Sequence, residues 1–209
     1  MTHRTSISRD NHACVVPLLE RDEAPVKVRN AFQADEEREG RVRNLTRAVA
    51  ASPTTLQATT RALHMFVTLN RIDARTCALI CLYTSMLNGC SYCIDDAAGA
   101  AFEYGVTIEE MLALPDFSTP ILSGQMIAIL RFVERMVLTP TAIPDEIIAD
   151  LKTYMDDEEL LEISAIVAMK CFWNHFASSL RIPPEGRCMD TNAFGLLCDL
   201  SDALQRRQT

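Results

Sequence analysis

The chain predicts an all-α fold, and three observations carry that prediction. No stretch of its 209 residues alternates apolar and polar side chains with the period of two that a half-buried strand needs. Only 7 glycines and 9 prolines interrupt a sequence rich in Ala, Leu and Met, residues that give up little on entering a helix. The apolar positions recur at intervals of three and four, between Ser, Thr and Asp residues placed to act as caps.

Composition narrows the class further. Hydrophobic residues make up 48% and charged residues 23%, a balance that supports a packed core rather than disorder. A formal charge of −8 argues against nucleic acid or an anionic membrane as partner. Met1 to His12 contains no apolar core of a secretory signal. The most apolar long stretch, Gln125 to Leu138, is broken by Arg131, Glu134 and Arg135, so no membrane span is expected. Eight cysteines (Cys14, Cys77, Cys81, Cys90, Cys93, Cys171, Cys188 and Cys198) without such a signal predict a soluble, cytoplasmic protein whose thiols are mostly free.

In chain order, residues 1–23 show no periodicity and read as an N-terminal arm, residues 24–186 as the helical domain, and residues 187–209 as a tail with one short helix. Charged residues from Asp35 to Arg43 read as a solvated helix face and connector. Val42 to Ala51 forms a short helix ended by Ser52-Pro53, where Ser52 caps the next helix and Pro53 takes its first position. That helix is expected to run to Asn70 with Leu56, Leu63, Phe66, Val67 and Leu69 inward. Asp73 caps a helix that is apolar nearly all round through Leu79, Ile80, Leu82, Tyr83, Met86 and Leu87, which predicts burial. Thr107 and Glu110 have the spacing of a capping box. Thr119-Pro120 opens a long helix that stops before Pro140, and Pro144 opens another. Asp156 to Leu180 reads as a single helix that Pro183-Pro184 ends, and Phe194 to Leu204 is the tail helix.

The segment that organises these elements is Asn88-Gly89-Cys90-Ser91-Tyr92-Cys93. Asn-Gly breaks a helix, so this is helix, corner, helix, with Cys90 at or near the start of the second. Free N–H groups and the positive end of the helix dipole favour thiolate there. Two intervening residues also let the thiols close into a disulfide, which describes a redox pair better than two packed thiols. A metal needs further ligands. Cys77 and Cys81 look tempting, but at ~1.5 Å rise per residue Cys81 lies roughly 10 Å down its helix from the corner. Cys77 and Cys171 read as small core residues, and no metal or cofactor is expected.

The phrase Leu87-Asn88-Gly89-Cys90-Ser91-Tyr92-Cys93, the order of helices, and Trp173-Asn174-His175-Phe176 before Pro183-Pro184 resemble the alkylhydroperoxidase D-like, or carboxymuconolactone decarboxylase, family. The likeness runs from about Pro25 to Glu185. It implies a helical fold built on a central two-helix hairpin carrying the Cys-x-x-Cys, assembled as a homo-oligomer, trimer or hexamer. It also implies an antioxidant thiol peroxidase or disulfide-exchange activity, with Cys93 attacking a hydroperoxide or small organic substrate, Cys90 resolving, and a thiol or dithiol as reductant.

The family's redox members carry a His four residues after the second Cys and a Glu twelve before the first. Those positions here are Ala97 and Ala78. The disulfide-forming part is present and the proton relay is absent. Thiolate at neutral pH then depends on the helix terminus or on a substitute, for which Tyr92 and His175 are the candidates. Asp95 and Asp96 read as first-turn cap residues. Loss of the relay keeps two further readings open: a non-redox pocket enzyme of decarboxylase or tailoring type acting on a small organic acid, and a non-catalytic ligand-binding helical oligomer.

Overall fold

The computed structural model describes residues 13–208, without the side chains of Met65 and Val67. Residues 1–12 of the expected arm, and the inward placement expected of Val67, lie outside the described residues. Among these, every regular element is helical, in agreement with the sequence.

A single 3-10 turn, Val26–Val28, leads into α1, Arg29–Glu39, which ends on Gly40 at φ +71°. That left-handed conformation suits glycine, which has no Cβ to clash. The short α2, Asn44–Val49, precedes α3, Pro53–Leu63, whose cap is Ser52 accepting the Thr55 N–H. The expected run to Asn70 is broken at His64, and only α4, Met65–Thr68, continues it. Thr59, Thr60 and Thr68 are poor helix formers, which weakens this stretch.

The centre of the molecule is α5, Ala74–Leu87, capped by Asp73 on the Thr76 N–H at 3.0 Å. It is paired in a hairpin with α6, Ser91–Glu103. The Thr107–Glu110 capping box starts α7, Ile108–Ala113, as the spacing predicts. The next helix, α8, Gly124–Leu138, begins later than Thr119-Pro120 suggests. Ser123 is its cap and accepts the Met126 N–H at 3.1 Å, while the Thr119 hydroxyl takes the Ile121 N–H. Pro144 precedes α9, Asp145–Leu151, and Asp156 with Glu159 boxes the start of α10, Asp157–Ser179. The tail helix α11, Thr191–Gln208, outruns its apolar pattern because Asp190 accepts the N–H groups of Asn192 and Ala193 and starts it early.

Leu79, Ile80, Leu82, Tyr83 and Met86 of α5 are fully buried against α6, α8, α10 and α11. Each such side chain contributes about 1.5–3 kcal/mol by leaving water. The last carbonyls of α5 have no partner within the helix, and α11 supplies them. Ser201 donates to Met86 O at 2.7 Å, and Gln205 and Gln208 donate to Leu87 O. Side chains of α11 thus fix the end of α5 from which the cysteine corner departs. On the other side, α1 to α4 lie over α5, α6 and α10 and leave a cavity between.

Candidate active site

Cys90 is the cap of α6. Its backbone is extended (φ −90°, ψ 95°), and its sulfur accepts the Cys93 N–H at 3.3 Å. A thiol therefore occupies the place usually taken by a Ser or Asp oxygen, where it meets orphan N–H groups and the helix dipole. Gly89, at φ +67°, lets the chain turn from α5 into that position. The corner is then tied to its neighbours. The Cys90 N–H donates to Ser85 O at 3.1 Å, and the Asn88 amide donates to Thr84 O and to Asn174 Oδ1, both at 3.0 Å. Asn174, fully buried on α10, returns a bond to Ser85 Oγ at 3.1 Å.

Both thiols are buried, Cys90 at 1% and Cys93 at 2% exposure, but they face different surroundings. Cys93 lines a cavity of about 780 Å³, whereas Cys90 sits behind it among Leu45, Trp173, Ala177 and Ile182. The Cys93 thiol donates to Cys90, and that bond outweighs burial. With help from Ser178, the Cys93 N–H and the Lys170 charge, it pulls Cys90 down to about 7. The same bond, with burial, pushes Cys93 well above the ordinary thiol range. Of the pair, Cys90 is thus the thiol that gives up its proton first, and Cys93 holds its own.

Lys170, on α10, is 6% exposed and lines the cavity. Burial alone would lower an ammonium's pKa. The sulfurs of Cys93 and Cys81 and the carboxylate of Asp96 outweigh that and hold it above its ordinary value. Its contact with Asp96 Oδ2 is 3.9 Å, beyond direct hydrogen bonding. Asp96 is itself held at 2.9 Å by Arg187, whose other nitrogen meets both Glu103 oxygens at 3.0 Å. Desolvation would raise Asp96, but Lys170 and Arg187 prevail and lower it, so the carboxylate stays ionised.

Several sequence expectations are corrected here. Asp95 and Asp96 are more than helix-start residues. Asp95 accepts the N–H groups of Glu185, Arg187 and Cys188 at 2.8–3.1 Å, stapling the segment before α11 onto α6. Cys77 and Cys81 both line the cavity, hydrogen-bonded to each other, so neither is a plain core residue. His175 is exposed and is not among the cavity residues. The inward stripe of α10 runs through Ile166, Lys170, Trp173 and Ala177, and His175 falls off it. Tyr92 does line the cavity, but its hydroxyl is engaged with Glu185. Ala78 and Ala97, the positions to which the resemblance carries the relay, are both at the cavity wall. Lys170 is the charged cavity side chain that sequence reasoning missed. Its signal was its register with Ile163, Ile166, Trp173 and Ala177 on an apolar stripe. Among the described residues, no cluster of three or more His, Cys, Asp or Glu is arranged to hold a metal ion.

The all-helical architecture, with a central hairpin that carries the Cys-x-x-Cys beside a cavity, is the alkylhydroperoxidase D-like fold. Comparison with known proteins agrees. Residues 53–135 match the carboxymuconolactone decarboxylase family, and the expected family resemblance is borne out over that stretch. Two curated relatives are uncharacterized proteins. Escherichia coli YnjA is 25% identical over 100 residues, 47% of this chain and 55% of its own length. Bacillus subtilis YdfG is 27% identical over 115 residues, 52% of this chain and 76% of its own. The match thus spans about half the length of YnjA. Among solved structures, a peroxidase-related protein from Ralstonia eutropha JMP134, described as an alkylhydroperoxidase AhpD core, has a TM-score of 0.73 at 18% identity, over 85% of this chain and 96% of its own. The debrominase Bmp8 has the same TM-score at 21% identity, over 89% and 98%. A cysteine-to-alanine variant of Bmp8 is known in complex with 2,3,4-tribromopyrrole. These likenesses establish the fold. They also show that one fold serves more than one chemistry. No helix among the described residues is long and apolar enough to cross a membrane.

Proposed function

We propose that the chain is a thiol–disulfide oxidoreductase that reduces an organic hydroperoxide, with Cys93 attacking and Cys90 resolving. The observation that carries this reading is the division of labour at the corner: Cys93 lines the cavity, and Cys90, whose sulfur accepts the Cys93 N–H, does not. The Cys93 proton passes to Cys90, and the thiolate so formed lies beside the Lys170 ammonium. Cys93 sulfur displaces alkoxide from the peroxide, giving the sulfenic acid, and the alkoxide takes a proton from water. Cys90 thiol then attacks the Cys93 sulfur. Hydroxide leaves with the thiol's proton as water, and the disulfide forms. The balance is one thiol, one thiolate and one hydroperoxide to one disulfide, one alcohol and one hydroxide. Lys170 supplies electrostatically what Ala78 and Ala97 cannot supply as a relay. An external thiol or dithiol returns the pair to its starting state. Exposed Leu161 and Phe172 on α10 support self-assembly of the kind the resemblance implies.

One stoichiometric addition of cumene hydroperoxide followed by alkylation and peptide mapping tests the proposal. Cys90 and Cys93 should be found linked, with one alcohol formed per disulfide. Reduced, alkylated Cys90 and Cys93 after that treatment would overturn it.

A second reading is favoured by the size of the cavity, far above that of a peroxide group, and by the bare Ala78 and Ala97 walls. On that reading the cavity is a non-redox pocket acting on a small organic acid. Turnover of such an acid by a Cys90→Ser, Cys93→Ser double variant would favour it.

A further inference from the structure

The cavity beside Cys93 is long, and the helices that form it set its length. From α5 it is lined by Ala74, Cys77, Ala78 and Cys81. From α6 the wall takes Cys93, Ala97, Ala100 and Tyr104. Spacings of three and four put each set on one face of its helix. At ~1.5 Å rise per residue, the α6 stripe runs about 16 Å from Cys93 to Tyr104. Ile166, Lys170, Trp173 and Ala177 line the cavity from α10 with the same spacing. Short of Tyr104 these hairpin side chains are alanines and cysteines, and their small size leaves the space open.

Exposure rises along the same direction. Cys93 and Ala97 are each 2% exposed, Ala100 is half-buried and Tyr104 is 49% exposed. On the antiparallel α5, Ala78 is buried, while Ala74, at the Tyr104 end, is exposed. Along the hairpin the cavity therefore opens at Tyr104 and closes at the attacking sulfur. Opposite the hairpin stand Leu56, Leu63 and Phe66 of α3 and α4. The charged groups of the wall balance, with Arg38, Arg43 and Lys170 against Asp35, Asp73 and Asp96. Arg38 and Arg43 meet Asp35 at 3.2 and 2.9 Å, and Lys170 faces Asp96 at 3.9 Å. A ligand charge buried here would find no unmatched partner, whereas a neutral apolar body needs none.

We propose that the cavity is a channel for a hydroperoxide on a long apolar chain, of the lipid type. The peroxide group sits at Cys93, and the chain runs along the α5/α6 hairpin toward Tyr104. Ala100, roughly 10 Å along α6 from Cys93, determines the selectivity, because a long chain must pass it and a compact peroxide need not. The channel rests on the redox reading of Cys93 and names the substrate class for it. The reaction is the one given above, and the alcohol released keeps the chain.

Primary alkyl hydroperoxides from ethyl to decyl test the channel in single-turnover oxidation of the pair, each rate constant divided by that for free cysteine. The quotient should rise about threefold per methylene over the short members, and decyl should exceed ethyl by at least about a hundredfold. Ala100→Phe sets a ring across the channel, and the decyl-to-ethyl ratio should fall at least tenfold. A flat series, or a ratio that Ala100→Phe leaves unchanged, overturns the channel. The unreactive product 1-decanol gives a second measurement that needs no change at Ala100. Calorimetry on a Cys90→Ser, Cys93→Ser double variant should show 1-decanol bound at least a hundredfold tighter than 1-butanol, and equal affinities overturn the channel as well. A protein that binds 1-decanol in this way, yet whose cysteines no hydroperoxide oxidises, keeps the channel and loses the proposed oxidoreductase function. A pair that every member oxidises with a flat series does the reverse.

Discussion

Two thiol pairs lie beside one cavity in this protein, Cys77 and Cys81 both at its wall and the other pair through Cys93 alone, and they differ in where the backbone holds them. Cys90 and Cys93 straddle the start of α6, with Cys90 on extended backbone. Cys77 and Cys81 lie one turn apart inside α5, also hydrogen-bonded to each other and also in the field of Lys170. Electrostatics alone hardly separates them: the bond between partners lowers Cys77 and raises Cys81, as it lowers Cys90 and raises Cys93. Covalent geometry does separate them. Helical residues four apart hold their Cβ atoms about 5–6 Å from each other, and a disulfide needs about 3.5–4.5 Å. The lesson is that a redox pair is set by the freedom of its backbone more than by the pKa of its thiols.

The largest effects should fall on one pair only. Cys93→Ser should reduce hydroperoxide turnover to the uncatalysed rate. Cys90→Ser should allow a single oxidation that stops at the sulfenic acid, trapped by dimedone and seen by mass spectrometry. Cys77→Ser and Cys81→Ser should each retain the wild-type rate within a few-fold. A loss on Cys81→Ser as deep as on Cys93→Ser would break the comparison, because it would make the mid-helix pair part of the reaction.

Mapping after excess oxidant sharpens the same contrast. The Cys90–Cys93 link should form, and no Cys77–Cys81 link should appear while the protein stays folded. Finding Cys77 joined to Cys81 in folded protein would show that α5 unwinds at its first turns, against the cap that Asp73 provides.

Lys170→Met should come next in size. Removing the ammonium takes away the charge that most favours thiolate on Cys93, so that thiol, already well above its ordinary range, is pushed further up. The rate at pH 7 should fall about tenfold, the effect of one unit in the pKa of the attacking thiol. The sign is specific: the defect should shrink as pH rises past the pKa of that thiol, in a pH–rate profile of single-turnover oxidation. A defect constant with pH would assign Lys170 to substrate binding instead.

The same contrast between local and distant causes explains what the sequence revealed. Caps at Ser52, Asp73 and Thr107 were legible because each acts within four residues of itself. The corner at Asn88-Gly89 was legible for the same reason. The α8 start was misplaced because Pro120 offers a local signal that Ser123 overrides with a better-placed hydroxyl. Lys170 was not legible as a site residue, since a lysine in an apolar helix ordinarily reaches solvent. Only the cover of α1 to α4 and the nearness of α5 and α6 make its position interior. Cys77 and Cys81 were not legible as cavity residues because α5 is apolar nearly all round, so its period marks no face as special.

The smallest effect should come from restoring the missing relay. Ala78 and Ala97 are 5% and 2% exposed and both border the cavity, so larger side chains have empty space to enter rather than packed neighbours to displace. General-base assistance is typically worth about 10²–10⁴-fold where nothing else prepares the nucleophile. Here the proton already has a place to go, on Cys90, and the thiolate already has a cation beside it. Ala78→Glu with Ala97→His should therefore raise the pH 7 rate by less than about tenfold, well under that general-base range, and Ala97→His alone by less still, because nothing would orient the ring. The informative variant combines the same pair of changes with Lys170→Met. If the ammonium and the relay are alternative ways to favour the Cys93 thiolate, the relay should recover most of the rate that Lys170→Met removes, and flatten the pH profile. A gain above a hundredfold in the presence of Lys170 would show instead that the ammonium does little for Cys93, and that the lysine is retained for what binds beside it.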